Sequence, residues 1–167
     1  MYKKNEYADA IEKELNENDF DFSVRDRGKD KVFVFPIPSH NAPELNVRLF
    51  VNSSGDCKLR SFLTTEVPVS IRQDMVNELN RLNGQFRFVT LTMDEDGDVS
   101  CDYDFAVFGK PEDSADQVLT IAFLYADIAD KCVPSIQVLL FKAAEHAEST
   151  VKFRAIINDS GDINALE

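Results

Sequence analysis

Three segments of the chain carry apolar residues every three or four positions, the spacing of a helix with one buried face. They are residues 7–15, 71–82 and 118–129. In the first two segments the apolar stripe is bordered by charged residues, so each helix is predicted to dock through one face. The third segment is apolar on almost every side. It is therefore predicted to be buried by a sheet, by another helix or by a second subunit.

Between these helices, apolar and polar residues alternate over shorter stretches, which indicates strands. The predicted strands are residues 20–25, 32–37, 45–51, 57–63, 85–93 and 99–108. Gly55 and Gly97 each lie in a polar turn between two of them, which favours hairpins. The predicted fold class is therefore α+β, with an antiparallel sheet and helices packed on one of its faces.

The strand at residues 32–37 is apolar on both of its faces, so it is either central in the sheet or has one face that awaits a partner. Together with the third helix, it offers more apolar surface than one subunit is expected to bury. The candidate surface for a partner or a dimer consists of five residues from these two segments. They are Phe33, Phe35, Ile37, Phe123 and Tyr125.

Pro134 is predicted to end the third helix, because a proline inside a helix removes a backbone hydrogen bond. A separate helix is then expected over residues 134–148, and residues 151–167 are expected to form one more strand and a turn. The length of 167 residues suits a single domain over residues 1–167.

Acidic residues outnumber basic residues by 30 to 18, which gives a formal net charge of −12. Binding to nucleic acid or to anionic membranes is not expected, because both need clustered lysine and arginine. Three widely spaced cysteines indicate neither a disulfide framework nor a zinc site. The N-terminus lacks the apolar segment of a signal peptide, and the longest apolar run, residues 121–126, is too short to span a bilayer. A cytoplasmic location is expected.

Three aspartates surround Gly97 and raise the question of a calcium loop: Asp94, Asp96 and Asp98. If Gly97 takes the sixth position of such a loop, Thr92 and Tyr103 occupy the first and twelfth positions, where calcium needs carboxylates. The pattern therefore predicts a solvated hairpin tip, and no metal site is expected.

Candidate catalytic groups are few and scattered. His40 and His146 have no nearby carboxylate or cysteine at a catalytic or metal-binding spacing, and Cys101 belongs to the inward side of its strand. Asp102 and Asp104 share one strand face, but alternation alone explains them. No catalytic or cofactor-binding residue is predicted, although groups brought together only by the fold stay open.

Residues 68–108 resemble the YbjN family, which is described as putative bacterial sensory transduction regulators. The similar features are the helix end with Asn77, Leu79 and Asn80, the aromatic strand that follows, the D-x-D-G turn and the strand ending in Asp104-Phe105. The resemblance covers about residues 5–128 and leaves residues 134–167 as a C-terminal extension. It implies the fold of type III secretion chaperones in an often dimeric protein that binds other proteins. The family pattern has three strands before the second helix, whereas four are predicted here.

The leading hypothesis is a non-enzymatic, homodimeric binding module that holds a client protein segment by strand addition or in an apolar groove. The alternatives are a small-molecule sensor with a Phe-lined pocket between sheet and helix, and an enzyme whose site is assembled only in the fold.

Overall fold

The residues described by the computed structural model form a six-stranded sheet and three α-helices. The backbone is described for residues 5–42 and 44–161, and the side chains for residues 5–42 and 44–148. The helices are α1 (Glu6–Glu17), α2 (Arg72–Gln85) and α3 (Pro111–Gly161). The strands are β1 (Ser23–Arg27), β2 (Asp30–Ile37), β3 (Leu45–Asn52), β4 (Asp56–Thr64), β5 (Thr90–Met93) and β6 (Val99–Ala106). A 3-10 turn at Val69–Ile71 precedes α2. The predicted α+β class is confirmed.

The order of the strands across the sheet is β1-β2-β3-β4-β6-β5, and every neighbouring pair is antiparallel. Four strands precede α2, as the alternation predicted. After α2 the chain forms β5 at the border of the sheet and returns as β6 between β5 and β4. The two outer strands are therefore β1 and β5.

One face of the sheet forms the core with the helices. In β3 every second residue is buried, and the register places these residues beside the buried positions of β2 and β4. The buried apolar residues of this face of β2, β3 and β4 are Phe33, Phe35, Ile37, Leu45, Val47, Leu49, Val51, Cys57 and Leu59. Ile11, Leu15, Met75, Leu79 and Tyr125 of the helices belong to the same cluster. Full burial of such a side chain stabilises the fold by about 1.5–3 kcal/mol. The other sheet face is largely open.

Helix α3 continues through Pro134, so the predicted restart of the helix at that residue is wrong. Proline lacks the N–H that would bond to the carbonyl oxygen of Asp130, four residues earlier. Asn41, in the loop between β2 and β3, donates its Nδ2 to that oxygen at 3.3 Å. Gln137 in turn donates its Nε2 to the Asn41 carbonyl oxygen at 3.1 Å. The loop thus satisfies the backbone group that proline leaves unpaired.

The Asp130 carboxylate holds the same loop, and we call Ser39, His40, Asn41 and Asp130 the Asp130 clasp. Ser39 Oγ and the Asn41 backbone N–H donate to Oδ1, the latter at 3.0 Å. The backbone N–H of His40 and Nδ2 of Asn41 donate to Oδ2 at 3.2 and 3.1 Å. Asp130 is only 7% exposed, but its carboxylate accepts four hydrogen bonds.

The predicted C-terminal strand is also wrong, because α3 remains helical to Gly161. Between Pro134 and Gly161 the chain has no further proline or glycine, so no residue interrupts a helix that is already formed. Residues 162–167 of the predicted strand and turn lie outside the described residues. Although α3 is 51 residues long, the described part of the chain holds no helix that is long and apolar enough to cross a membrane.

Replacing Asp130 by asparagine is expected to lower the free energy of unfolding by about 2 kcal/mol at pH 7, because the backbone and side-chain donors of the loop lose a charged acceptor. Burial tends to raise the pKa of Asp130, but the hydrogen bonds from Ser39, Asn41 and His40 outweigh it and hold the pKa below its ordinary value. The stabilisation is therefore present above the unfolded-state pKa of about 3.9 and is lost as the pH falls through the lower folded-state value. Urea unfolding between pH 7 and pH 3 measures this difference.

Asp127→Asn is the matched control. Asp127 lies one helical turn earlier and is exposed, and its carboxylate pairs with Lys131 at 2.5 Å. Such surface pairs contribute little, so this variant is expected to unfold like the wild type. Equal losses in the two variants at pH 7 would contradict the structural role assigned to the clasp.

Candidate functional site

Four of the five residues predicted to form a partner surface lie in the interior of the protomer. Phe33, Phe35 and Ile37 face the helices and are part of the core cluster, and Tyr125 is buried with its hydroxyl donating to the Cys101 carbonyl oxygen at 2.7 Å. In this fold they are not available to a partner, so that part of the predicted surface is corrected. Phe123 is 44% exposed and packs its ring on Phe20 at 5.7 Å.

The sequence overstated the free apolar surface for a physical reason. The apolar residues of β2 lie on both sides of the strand, but α1 and α3 cover only the side that carries Phe33 and Phe35. Val32 points to the other side and is buried there without belonging to the core cluster. A strand that is apolar on two faces therefore need not await a partner, because side chains of neighbouring strands can cover the second face.

An unpaired strand edge lies elsewhere, along the outer side of β6. Residues 99–102 of β6 pair with the four residues of β5, whereas β4 pairs with β6 as far as Ala106. Tyr103, Asp104, Phe105 and Ala106 consequently have a strand neighbour on one side only. We call this segment, residues 103–106, the β6 open edge.

The direction of the backbone groups along the β6 open edge follows from alternation. The N–H and carbonyl of Leu91 bond to the Asn83 side chain at 2.7 and 3.0 Å, so they point away from β6. Its partner Cys101 therefore points toward β4, and Asp102 points toward β5. At the far end the Val107 N–H bonds to the Gly55 carbonyl oxygen at 2.9 Å, on the β4 side. Asp104 and Ala106 thus direct N–H and carbonyl groups outward, at positions where both residues are exposed.

Aromatic rings line the helix side of the β6 open edge. Tyr103 lies 5.3 Å from Phe105 and 6.0 Å from Phe88, measured between ring centroids. Phe88 is 72% exposed and has a φ of 73°, which is unusual for a bulky residue. Pairing of the chain with β6 begins only two residues after this turn, at Thr90. Phe88 thus lies just outside the strand and presents a ring to solvent, and local strain of this kind is concentrated at functional sites.

Ion pairs line the opposite side of the same edge. Asp102 is nearly buried and accepts from Arg60 Nε and Nη2 at 2.5 and 2.8 Å, and Lys58 lies 3.5 Å from the Asp104 carboxylate. The hydrogen bonds that Arg60 donates to the Asp102 carboxylate raise the pKa of Arg60. These pairs hold β4 to β6 beneath the edge, whose outward backbone groups have no hydrogen-bond partner among the described residues.

The other border of the sheet is built differently. All five residues of β1 are exposed, and three consecutive ones are charged: Arg25, Asp26 and Arg27. Charged side chains on an outer strand discourage pairing with another chain. The β6 open edge, with its aromatic side, is therefore the better candidate for binding.

The contacts of His40 and Cys101 with the described residues do not form a catalytic relay. Ser39 and His40 both contact Asp130, but Ser39 reaches it through its hydroxyl and His40 through its backbone N–H. Cys101 is fully buried, and this burial raises the pKa of its thiol to about 12. Asp94 accepts backbone N–H bonds from Asp96, Gly97 and Asp98 within its turn, and the described residues contain no group of three His, Cys, Asp or Glu placed to hold a metal ion.

Sequence reasoning missed the β6 open edge and Phe88. One signal was present: in the predicted strand of residues 85–93, Phe86 and Phe88 follow one phase while Val89 and Leu91 follow the other. That change of phase lies just before the place where the chain joins the sheet, since β5 starts only at Thr90.

Comparisons with known proteins address the fold and the family. The family model for YbjN, described as putative bacterial sensory transduction regulator, matches residues 7–138. The crystal structure of YbjN, a putative transcription regulator from E. coli, superposes with a TM-score of 0.56 over 78% of this chain and 91% of that chain, at 11% sequence identity. At this identity the similarity shows the fold alone. A search of the curated proteins found no match. Since the family model covers most of the chain, this protein belongs to the YbjN family.

Proposed function

We propose that this protein is a cytoplasmic regulatory module that binds an extended segment of a partner protein by adding it as a strand along the β6 open edge. The observation that carries the proposal is the unequal length of β5 and β6, which leaves Asp104 and Ala106 with outward N–H and carbonyl groups. In strand addition these backbone bonds supply affinity, and pockets for alternate side chains supply specificity.

The aromatic side of the edge supports the second half of that mechanism. A strand beside Asp104 and Ala106 would place alternate side chains over Phe88, Tyr103 and Phe105. Aromatic residues are enriched where binding energy is concentrated. The partner segment is therefore expected to be extended, with apolar residues at every second position.

The family description fits a regulator, and binding a partner segment is a means by which a regulator without its own chemistry can act. The cytoplasmic part of the proposal is supported by the three free cysteines, which lie buried in the core or beside it. Buried, unpaired thiols suit a reducing compartment.

Replacing Phe88 by aspartate is expected to weaken binding of such segments at least tenfold, or about 1.4 kcal/mol, because the ring stacked beside Tyr103 is replaced by a charge. The test uses peptides selected against the wild-type protein from a random-sequence library, with affinities measured by fluorescence anisotropy. If Phe88 contacts apolar side chains of the bound strand, the peptides whose affinity falls are expected to carry apolar residues at every second position.

Phe108→Asp is the matched control for this substitution. Phe108 is 85% exposed, and in the described part of the chain it stacks on no other ring. The Phe108→Asp substitution removes a comparable amount of exposed apolar surface from a ring that does not stack on Phe88, Tyr103 or Phe105. If both variants bind the peptides equally well, or lose affinity equally, the aromatic side of the β6 open edge is not the binding site.

A homodimer is part of the same proposal. Helix α3 exposes Leu124, Val138 and Phe141, which are 61%, 50% and 69% exposed, and a second copy would cover this stripe. Light scattering at micromolar concentration tests the assembly independently of peptide binding, and a strictly monomeric protein would remove the dimer while leaving strand addition in place.

A further inference from the structure

The open face of the sheet carries three arginines that have no carboxylate partner among the described residues: Arg25 and Arg27 on β1, and Arg48 on β3. The other cations of this face are neutralised, since Arg60 pairs with Asp102 and Lys58 with Asp104. In a chain with a net charge of −12, three guanidinium groups left without an ion pair on one face are unexpected.

The strand register brings these arginines around an apolar floor. Arg25 lies opposite Val32, and Val32 lies opposite Phe50. Arg48 lies directly opposite Arg60 on β4, and like charges at directly opposite positions destabilise a sheet. Because Asp102 already neutralises Arg60, the charge of Arg48 is the one of this pair that remains without an anion.

A depression of about 320 Å³ occupies this place and is lined by Arg25, Asp26, Arg27, Val32, Arg48 and Phe50. Its floor residue Val32 is 2% exposed. Asp26 alternates with its two arginine neighbours, so its side chain points to the helix side of the sheet. Asp30, opposite Arg27, faces the same side as the arginines, but among the described residues it forms no ion pair with them. One carboxylate beside three arginines leaves the cluster with an excess of positive charge.

Two of the guanidinium groups lie over aromatic rings. The Cζ atom of Arg27 is 5.8 Å from the centroid of the Phe50 ring, and that of Arg48 is 5.1 Å from the centroid of the Phe62 ring. A cation–π contact of this kind leaves guanidinium N–H groups available to a carboxylate or a phosphate. Arg27 and Arg48 are therefore positioned by ring contacts, while their N–H groups have no carboxylate acceptor among the described residues.

We propose that this depression is a binding site for a small organic anion, a carboxylate or phosphate attached to one ring-sized apolar group. The arginines would bind the anion through their N–H edges, and Val32 and Phe50 would contact the apolar part. The volume lies at the lower end of the range of about 300–1,000 Å³ found for ligand pockets, which suits a single ring. Three cations in a strongly acidic protein do not suit a nucleic acid. The site lies at the β1 end of the sheet, away from the β6 open edge, so it extends beyond the proposed function.

The experiment follows backbone amide NMR signals of the full chain during titration with phenyl phosphate, benzoate, inorganic phosphate and phenol. Saturable shifts of Val32 and Phe50 are expected with one or both aryl anions, and the tighter of the two identifies phosphate or carboxylate as the preferred group. Inorganic phosphate is expected to bind at least tenfold more weakly, and phenol is expected to cause no saturable shift.

Arg48→Gln is expected to weaken binding of the tighter aryl anion at least tenfold, because it removes one of the three arginines of the site. It is expected not to lower the melting temperature, because Arg48 has no ion pair among the described residues that the substitution would break. Arg87→Gln, which removes an exposed cation just before β5, is expected to leave binding unchanged. The proposal is overturned by a lack of saturation with both aryl anions, by inorganic phosphate or phenol binding as tightly as they do, or by wild-type affinity in the Arg48 variant.

Discussion

Replacing Ala106 by proline is expected to reduce the affinity for a library-selected extended peptide about a hundredfold, or about 3 kcal/mol, without unfolding the protein. Proline removes the outward N–H of Ala106, so a carbonyl oxygen of the added strand loses its donor, and the proline ring occupies space at the edge. The position tolerates proline because this N–H has no partner within the sheet, and outer strand positions are where sheets accept proline.

Ala106→Val is the control, since valine keeps the N–H and suits a strand. It is expected to bind the peptide within about threefold of the wild type. Circular dichroism and thermal unfolding of both variants establish that the proline variant remains folded. A folded Ala106→Pro variant with wild-type affinity would show that partners do not bind as an added strand at this position.

Replacing Gly55 by alanine is expected to lower the free energy of unfolding by about 3 kcal/mol. Gly55 has a φ of 87°, and a Cβ at this position would lie 2.7 Å from the Val107 carbonyl oxygen and 3.3 Å from the Tyr7 ring. The first contact is with backbone, so the strand end must shift. Urea denaturation measures the loss.

Gly28→Ala separates the two causes of this loss. Gly28 has a φ of 64°, but a Cβ there would meet nothing within 4 Å. This variant carries only the cost of the left-handed conformation, about 1 kcal/mol. Equal losses at Gly28 and Gly55 would contradict the close approach of β6 to the turn between β3 and β4. A larger loss at Gly55 would support the role of its bond to Val107 in holding the end of β6 in place.

Much of the fold follows from the sequence because its strongest patterns are governed by burial on one face. Alternation in Leu45–Asn52 matches the observed burial and strand bounds closely. In Val99–Ala106 the strand is where it was predicted, but Ser100 and Asp102, on the side predicted to be solvent-exposed, are buried. The stripe of Met75, Leu79 and Leu82 is buried as its spacing predicts. These elements were predictable because each is buried on one side only, so the spacing of its apolar residues shows directly which side faces the core.

The errors arise where a distant residue replaces a local interaction. Pro134 weakens its own helix, but Asn41 supplies a donor from a loop far away in the sequence. Residues 85–93 are rich in apolar and aromatic residues, but Phe88 has a positive φ and only residues from Thr90 onward belong to the sheet. No local pattern reports the first event, and only the change of phase between Phe88 and Val89 marks the second.

The candidate sites were hidden for a related reason. The β6 open edge exists because two neighbouring strands differ in length, and strand ends are the least certain feature of a sequence pattern. The arginine cluster lies within a chain whose overall charge is strongly negative, and only the strand register brings Arg25 and Arg48 to the same face. Net charge therefore describes the field far from the molecule and does not describe this surface.

Residue-resolved amide hydrogen exchange along β6 tests the open edge most directly. In the free protein, the amides of Tyr103 and Phe105, which point toward β4, are predicted to be protected, whereas those of Asp104 and Ala106 exchange rapidly. On saturation with a library-selected peptide, the Asp104 and Ala106 amides are predicted to become protected as well. Protection of all four amides in the free monomer, or continued rapid exchange of Asp104 and Ala106 in the complex, would contradict binding by strand addition at this edge.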